Sequence, residues 1–301
     1  MQVVHWSEVV LFGILGLTIG SFLNVVIHRL PMIMERQWEA EYEQSKGAQV
    51  VSREPFNLMV PRSRCPHCGH QIGWQENVPV LSYVFLRGKC SACAAPISIR
   101  YPLVELGTAA FFAYCGWRWG VTTAALVWSG FAAAVLALAL IDWDTTLLPD
   151  DITLPLLWTG LLSSVLQWTS VPLGSAVWGA VAGYLSLWLI YWAFKLVTGG
   201  HLQGSGPWAL EWWMHRCSTG KEGMGYGDFK LFAALGAWFG WQALVPIILM
   251  ASIIGALVGT AMKFSSGLRE GGYVPFGPFL AGAGLTAMVF GPNAILSTIG
   301  L

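Results

Sequence analysis

Three aspartates and four cysteines combine the residue types and spacings most able to do chemistry. Asp142 and Asp150 lie in IDWDTTLLPD (141–150), and Asp228 lies in GMGYGDFK (223–230). Each stands where a long apolar run meets a short polar loop. Carrying an aspartate to mid-bilayer costs roughly 2.5–3.5 kcal/mol, so an acid at such a place persists where it touches water, a partner or a substrate. Two carboxylates held close together cannot both ionise cheaply. One becomes a general acid beside a general base, able to activate water and to protonate a leaving amine. Gly223, Gly225 and Gly227 surround Asp228 with residues lacking side chains, which lets an extended backbone approach the acid. No G-x-S-x-G, H-E-x-x-H or P-loop pattern offers a competing chemistry.

The acids also have structural readings. Asp150 follows Pro149 and precedes an apolar helix, which predicts a helix N-cap, and Asp151 fits the same purpose. Asp228 suits a cap of the following helix as well as it suits catalysis. Asp142 closes the apolar run 123–141, where a helix C-terminus disfavours an anion, and it reads as functional.

Cys65-Pro-His-Cys68 and Cys90-Ser-Ala-Cys93 form two C-x2-C knuckles separated by 21 residues. The spacing is close to that of a four-thiolate zinc site. Four thiolates leave no open position, so the metal is expected to be structural. A polar domain of this size, with few large apolar side chains, needs such a staple. Redox or disulfide cysteines are the rival reading, disfavoured by a reducing cytoplasm. His67 and His70 read as bystanders, Cys115 as a buried thiol and Cys217 as a loop thiol.

The elements that must position these residues are membrane helices. The chain has 301 residues, of which 55% are hydrophobic and 11% charged, against about 25% charged in soluble domains. A net charge of zero argues against a nucleic-acid partner. Residues 1–7 carry no Lys or Arg and no small-residue cleavage site follows the first apolar run, so that run is expected to remain as a span. Apolar runs predict spans at about 8–27, 102–119, 123–141, 152–170, 175–197, 228–241, 243–263 and 275–297. The polar stretch at about 30–100 holds Arg29, Arg36, Lys46, Arg53, Arg62, Arg64, Arg87, Lys89 and Arg100 in or beside it. Placed in the cytoplasm, with eight crossings, it leaves only Arg118 of the sixteen Lys and Arg outside. The N-terminus is then outside and all three aspartates face the cytoplasm.

The pieces GSFLNVVIHRLP (20–31), the paired knuckles, ISIRYPLVEL (97–106), IDWDTTLLPD (141–150) and KEGMGYGDFK (221–230) occur in the order found in one family. The chain resembles a type IV prepilin peptidase, the bifunctional leader peptidase and N-methyltransferase of type IV pilus and type II secretion systems. The resemblance covers nearly the whole chain. It implies an all-α polytopic membrane protein of about eight transmembrane helices with a small cytoplasmic zinc-knuckle domain inserted between helices 1 and 2. The expected divisions are 1–29, 30–100 and 101–301. The resemblance makes Asp142 and Asp228 the catalytic pair, and matches Asp150 to an acid not assigned to catalysis. It implies a prepilin or pseudopilin substrate, cut on the cytoplasmic side of the bacterial inner membrane after a glycine. The new N-terminal residue, commonly phenylalanine, is then methylated from S-adenosylmethionine. No Rossmann-type glycine fingerprint marks a cofactor site. Gly88, Arg100 and Glu105 match the family and are the candidates for it. The rival reading of Glu105 is an acid at the inner interface beside Arg100, and Asn24 and Arg29 read as anchors of the first span.

One departure from the family stands out. Where it usually runs from KLVTG into KEGMG, this chain inserts GHLQGSGPWALEWWMHRCST (200–219). Residues 208–216 read as a short interfacial helix, and His201, His215 and Cys217 match no metal-ligand spacing. Lengthening a surface loop costs about 0.6 kcal/mol per doubling, so the two acids can still meet. Two other function classes are weighed: a proton-coupled transporter with Asp142 and Asp228 as relay acids, and an assembly scaffold of a secretion machine docking through its zinc domain. The acids cluster at one face rather than mid-membrane, which opposes the first, and Asp→Asn substitution separates both from a protease.

Overall fold

The computed structural model describes residues 6–47, 54–197, 225–264, 274–292 and 294–295. The insertion at 200–219, with its predicted interfacial helix and His201, His215 and Cys217, lies outside the described residues, as does Gly223. The chain divides into two compact units, Met1–Ile141 and Asp142–Leu301.

The first unit is built on helices α1 (Trp6–Ser45) and α3 (Arg100–Trp119), with the five-residue α2 (Leu81–Phe85) between them in sequence. Small residues let α1 and α3 come together almost backbone to backbone. A methyl group at Gly16 would lie 2.6 Å from Ala109 Cα, and one at Gly20 would lie 2.7 Å from Glu105 Cα. Such spacing is the ordinary packing device of helices in lipid. Further along, Asn24 Nδ2 donates to the Tyr101 carbonyl at 3.1 Å. Most of α4 (Thr123–Thr145) belongs to this unit, and Trp128 on it stacks on Trp119 of α3 with ring centroids 5.7 Å apart.

The first helix does not stop near Arg29. It continues for four more turns to Ser45, with Pro31 inside it. Residues 32–44 are mostly Met, Glu, Gln, Ala and Arg, whose straight side chains favour helix. Arg29 is buried and donates to the Asn57 carbonyl at 3.0 Å. Arg36 stands over the Phe56 ring at 4.0 Å. The segment after residue 53 is thereby held back against the extended part of α1.

In the second unit the helices are α5 (Asp150–Val165), α6 (Leu173–Val197), α7 (Tyr226–Phe239), α8 (Leu244–Phe264) and α9 (Gly277–Phe290). Helix α7 is its core. Residues Asp228, Phe229 and Leu231–Trp238 are all buried. Gly179 of α6 and Gly236 of α7 touch through their backbones, leaving no room for a Cβ on either. Trp238 Nε1 donates to the Leu156 carbonyl of α5 at 2.8 Å. One buried indole thus satisfies its polar atom while fastening α5 to the core.

Among the described residues four helices are long and apolar enough to cross a bilayer: α1, α4, α6 and the stretch Trp241–Phe264 that contains α8. Helices also occupy the other four predicted spans, but α7 and α9 have only 14 residues each. At 1.5 Å per residue each reaches about 21 Å, short of a hydrocarbon core of about 30 Å. No strand occurs among the described residues, only isolated antiparallel bridges at Arg64–Gln71 and Lys89–Pro96.

Candidate active site and metal centre

Asp142 sits in the last turn of α4 and Asp228 is the third residue of α7. They are 5% and 3% exposed. The backbone amide of Gly225, the N-cap of α7, donates to Asp228 Oδ2 at 3.1 Å. Asp228 therefore helps to cap its helix from inside rather than standing at the cap position. That hydrogen bond uses one oxygen. Its Oδ1 is buried and has no hydrogen-bond partner among the described residues. A carboxylate needed only for capping would not require that second atom to be shut away from water.

The two acids belong to one locality, joined by Leu148 and two glycines. A Cβ at Gly227 would stand 2.6 Å from Leu148 Cβ, and one at Gly277 would be 3.3 Å from Leu148 Cδ1 and would run into Asp142 Oδ2. The short link from α4 to α5 thus lays Leu148 against Gly227 at the start of α7, next to Asp228 in the chain, and near Gly277 at the start of α9, which abuts Asp142. Only glycine fits at Gly227 and Gly277, because Leu148 and the Asp142 carboxylate fill the space a Cβ would take. On the α7 side, Tyr226 and Phe229 flank Asp228 and pack with Tyr191 of α6, at ring-centroid distances of 5.6 and 5.9 Å. Gly277 and Leu148 escape sequence reasoning, because neither has a reactive group and their part comes from tertiary contact.

Asp150 is not the N-cap of α5. Pro149 takes that position with φ −61° and ψ 131°, and Asp150 is the first helical residue. Proline's fixed φ and extended ψ suit the cap backbone. This frees the Asp150 carboxylate to pair with Lys230, whose Nζ lies 2.6 and 2.7 Å from its two oxygens. The pair ties the start of α5 to α7, two residues beyond Asp228.

The four knuckle cysteines, Cys65, Cys68, Cys90 and Cys93, bring all their Sγ atoms within 4.8 Å of one another. Cys65–Cys93 and Cys68–Cys90 are 3.8 and 4.0 Å apart. A tetrahedral zinc site with bonds of about 2.3 Å has sulfur–sulfur edges of about 3.8 Å, so these residues fit the ion. The knuckles repeat one design. Cys65 N donates to the His70 carbonyl and Cys90 N to the Ala95 carbonyl, each at 2.8 Å, and Gly69 N and Ala94 N each bond back to the first cysteine of their knuckle. Gly69 and Ala94 both take positive φ, 71° and 56°. Hydrogen bonds from the backbone amides of Cys68 and His67 lower Cys65 to about 7. The Ala95 amide favours the Cys93 thiolate, yet the crowding thiols, Cys68 first, outweigh it and push Cys93 up to about 12. A divalent cation removes that conflict, because coordinating thiols are deprotonated outright.

His67 and His70 stand apart from the cluster. His70 Nε2 meets Glu76 Oε2 at 3.2 Å. Hydrogen bonds from the Ser91 side chain, the Gly73 amide and His70 hold Glu76 down at about 2. Glu76 thus links the first knuckle to the second.

The candidates for a methyl-donor site are each engaged elsewhere. Gly88, at φ 67°, closes the turn after α2 against the Tyr83 ring. Arg100 Nη2 reaches the Leu140 carbonyl at 3.5 Å. Glu105 Oε2 accepts the Val80 amide at 2.7 Å. Those contacts hold the fold.

Comparison with known proteins gives this arrangement its class. Residues 14–119 match the bacterial peptidase A24 N-terminal domain and residues 129–260 the type IV leader peptidase family. The chain belongs to the type IV leader peptidase family. It is 48% identical to the prepilin leader peptidase/N-methyltransferase of Pseudomonas putida over 97% of this chain and 94% of that one. The protein of that name from Aeromonas hydrophila is 48% identical over 96% and 92% of the two chains. For Pseudomonas aeruginosa the values are 47%, 92% and 89%. No solved structure matches the chain.

Proposed function

We propose that this protein removes the leader peptide of prepilins or pseudopilins and methylates the new N-terminus, with Asp142 and Asp228 as the peptidase pair. Membership of the leader peptidase family and near-full-length relatives bearing both activities in their names support the overall reaction. They do not favour the transporter or the scaffold. The observation that carries the site is that two acids, each at least nineteen-twentieths buried, lie beside two glycines that pack on the same Leu148 within one compact unit: Gly227 precedes Asp228 and Gly277 abuts Asp142.

In this reading one acid is ionised and the other protonated. The carboxylate takes a proton from water as the oxygen attacks the scissile carbonyl carbon, and the carboxylic acid gives its proton to the leaving amide nitrogen. The C–N bond breaks to leave a carboxyl group on the leader and an amine on the mature chain. The bare backbone of Gly225, with no atom closer than 3.9 Å to where a Cβ would stand, gives an extended substrate room beside Asp228. Cys65, Cys68, Cys90 and Cys93 would hold a structural zinc ion, which staples the two knuckles. S-adenosylmethionine is the methyl donor implied by the N-methyltransferase relatives.

The finer topology is of a piece with this reading. Eight crossings place a zinc domain of residues 30–100 and both acids at the cytoplasmic face of the inner membrane, with the remaining helices in 101–301. Fifteen of the sixteen Lys and Arg then lie inside or beside inner loops. The test is cleavage of a prepilin by purified protein and by Asp142→Asn and Asp228→Asn. Each variant should lose about 10²–10⁴-fold in turnover while unfolding at the wild-type temperature. Turnover within a few-fold of wild type in either variant would remove that residue from the pair.

A further inference from the structure

Helix α2 carries an apolar face that the described residues leave uncovered. Leu81, Val84 and Phe85 stand at i, i+3 and i+4, on one side of the helix, and are 55%, 63% and 81% exposed. Clustered apolar exposure of this kind marks a partner or a membrane.

A buried hydrogen bond sets the level at which that face lies. The amide of Val80, the residue just before α2, donates to Glu105 Oε2 at 2.7 Å. Val80 holds a φ of 59°, which a β-branched side chain adopts only at a cost, so the clamp works against an opposing strain. Glu105 is 8% exposed and rests against Gly20 of α1. Gly20 lies in the apolar part of a helix able to cross a bilayer, about 13 Å of helical rise before Arg29. Around this level Phe22 of α1 and Tyr101, Leu103 and Leu106 of α3 are all exposed. The start of α2 is thus moored beside a lipid-facing surface. Just beyond its end, Arg87 and Lys89 are exposed.

We propose that α2 anchors the zinc-knuckle domain on the bilayer surface, with Leu81, Val84 and Phe85 entering the acyl boundary and Arg87 and Lys89 meeting the phosphates of anionic headgroups. An apolar face joined to cations is the composition of an interfacial segment. Five residues bury too little to hold a free peptide, but here association is intramolecular and the translational cost is already met. Continuity with the lipid-facing side of α1 and α3, together with the cations, favours lipid over a protein partner. This inference does not depend on the roles of Asp142 and Asp228.

The test places the photo-crosslinker p-benzoylphenylalanine at Val84 or Phe85 of the full-length protein in nanodiscs of phosphatidylcholine and phosphatidylglycerol. Leu103 serves as the lipid-facing control, zinc content reports folding, and intact mass is read after irradiation. The expected result is a gain of one phospholipid mass at both positions, enriched in phosphatidylglycerol, with the enrichment lost in an Arg87→Gln/Lys89→Gln background. Lipid adducts at Leu103 alone would overturn the proposal. So would adducts of a second copy or of added prepilin at Val84 and Phe85. Enrichment unchanged by the double substitution would overturn the assignment to anionic headgroups.

Discussion

Gly277 shows how much of the candidate site depends on an atom that is missing. A Cβ built there would run into Asp142 Oδ2, so a methyl group must displace the carboxylate. Gly277→Ala should cost about 1–3 kcal/mol from overpacking and about a hundredfold in cleavage, the usual cost of a misplacement near 1 Å. Gly282→Ala, in the same helix, meets nothing within 4 Å and should leave both unchanged. Thermal unfolding and steady-state cleavage of the two variants check the contrast. Asp150 offers the opposite case. Its pair with Lys230 is half exposed on the acid side, and such pairs contribute roughly 0.2–1 kcal/mol. Asp150→Asn should therefore lower stability by less than about 1 kcal/mol and leave turnover within a few-fold of wild type, unlike Asp142→Asn.

The elements divide between those legible in the chain and those set by tertiary contact. Most helices of both units were legible from their apolar runs, although α2 was not read and α7 and α9 are shorter than a span, and the knuckles were legible because ligand spacing is local. The length of α1 was not legible, because the polarity change near Arg29 resembles a membrane exit while helix propensity continues through Met32–Gln44. Asp142 and Asp228 stood out as acids at the ends of apolar runs, but the partner of Asp150 lies eighty residues away. Glu105 was read in the sequence as a methyl-donor candidate or an interfacial acid beside Arg100, while its bond to the Val80 amide could not be read there. Glu105→Ala leaves that amide unsatisfied, at about 1–3 kcal/mol, and should speed hydrogen exchange across residues 80–86 without altering zinc content. Cys68→Ser should instead lose the metal, read as a fall from one zinc per chain by elemental mass spectrometry. Zinc should also leave as pH falls, since protons compete for the thiolates.

For the whole molecule, two compact units and a family that carries two activities in its name raise the matter of how separable the activities are. The candidate peptidase acids both fall in Asp142–Leu301 and the zinc cluster in Met1–Ile141. Residues matched to the family as methyl-donor candidates, Gly88, Arg100 and Glu105, also fall in the first unit, where each supports the fold. The proposed orientation can be checked by reporter fusions, with a periplasm-active reporter expected to work in the loop at 120–122 and to fail in the loop at 146–149. The most direct measurement weighs two substrates after incubation with S-adenosylmethionine: an intact prepilin and a pilin already freed of its leader. With wild-type protein the first should lose its leader and gain one methyl group, and the second should gain the methyl alone. Asp142→Asn and Asp228→Asn should leave the prepilin whole yet still methylate the pre-cut pilin. Leader loss in either variant would contradict the assignment of these two aspartates.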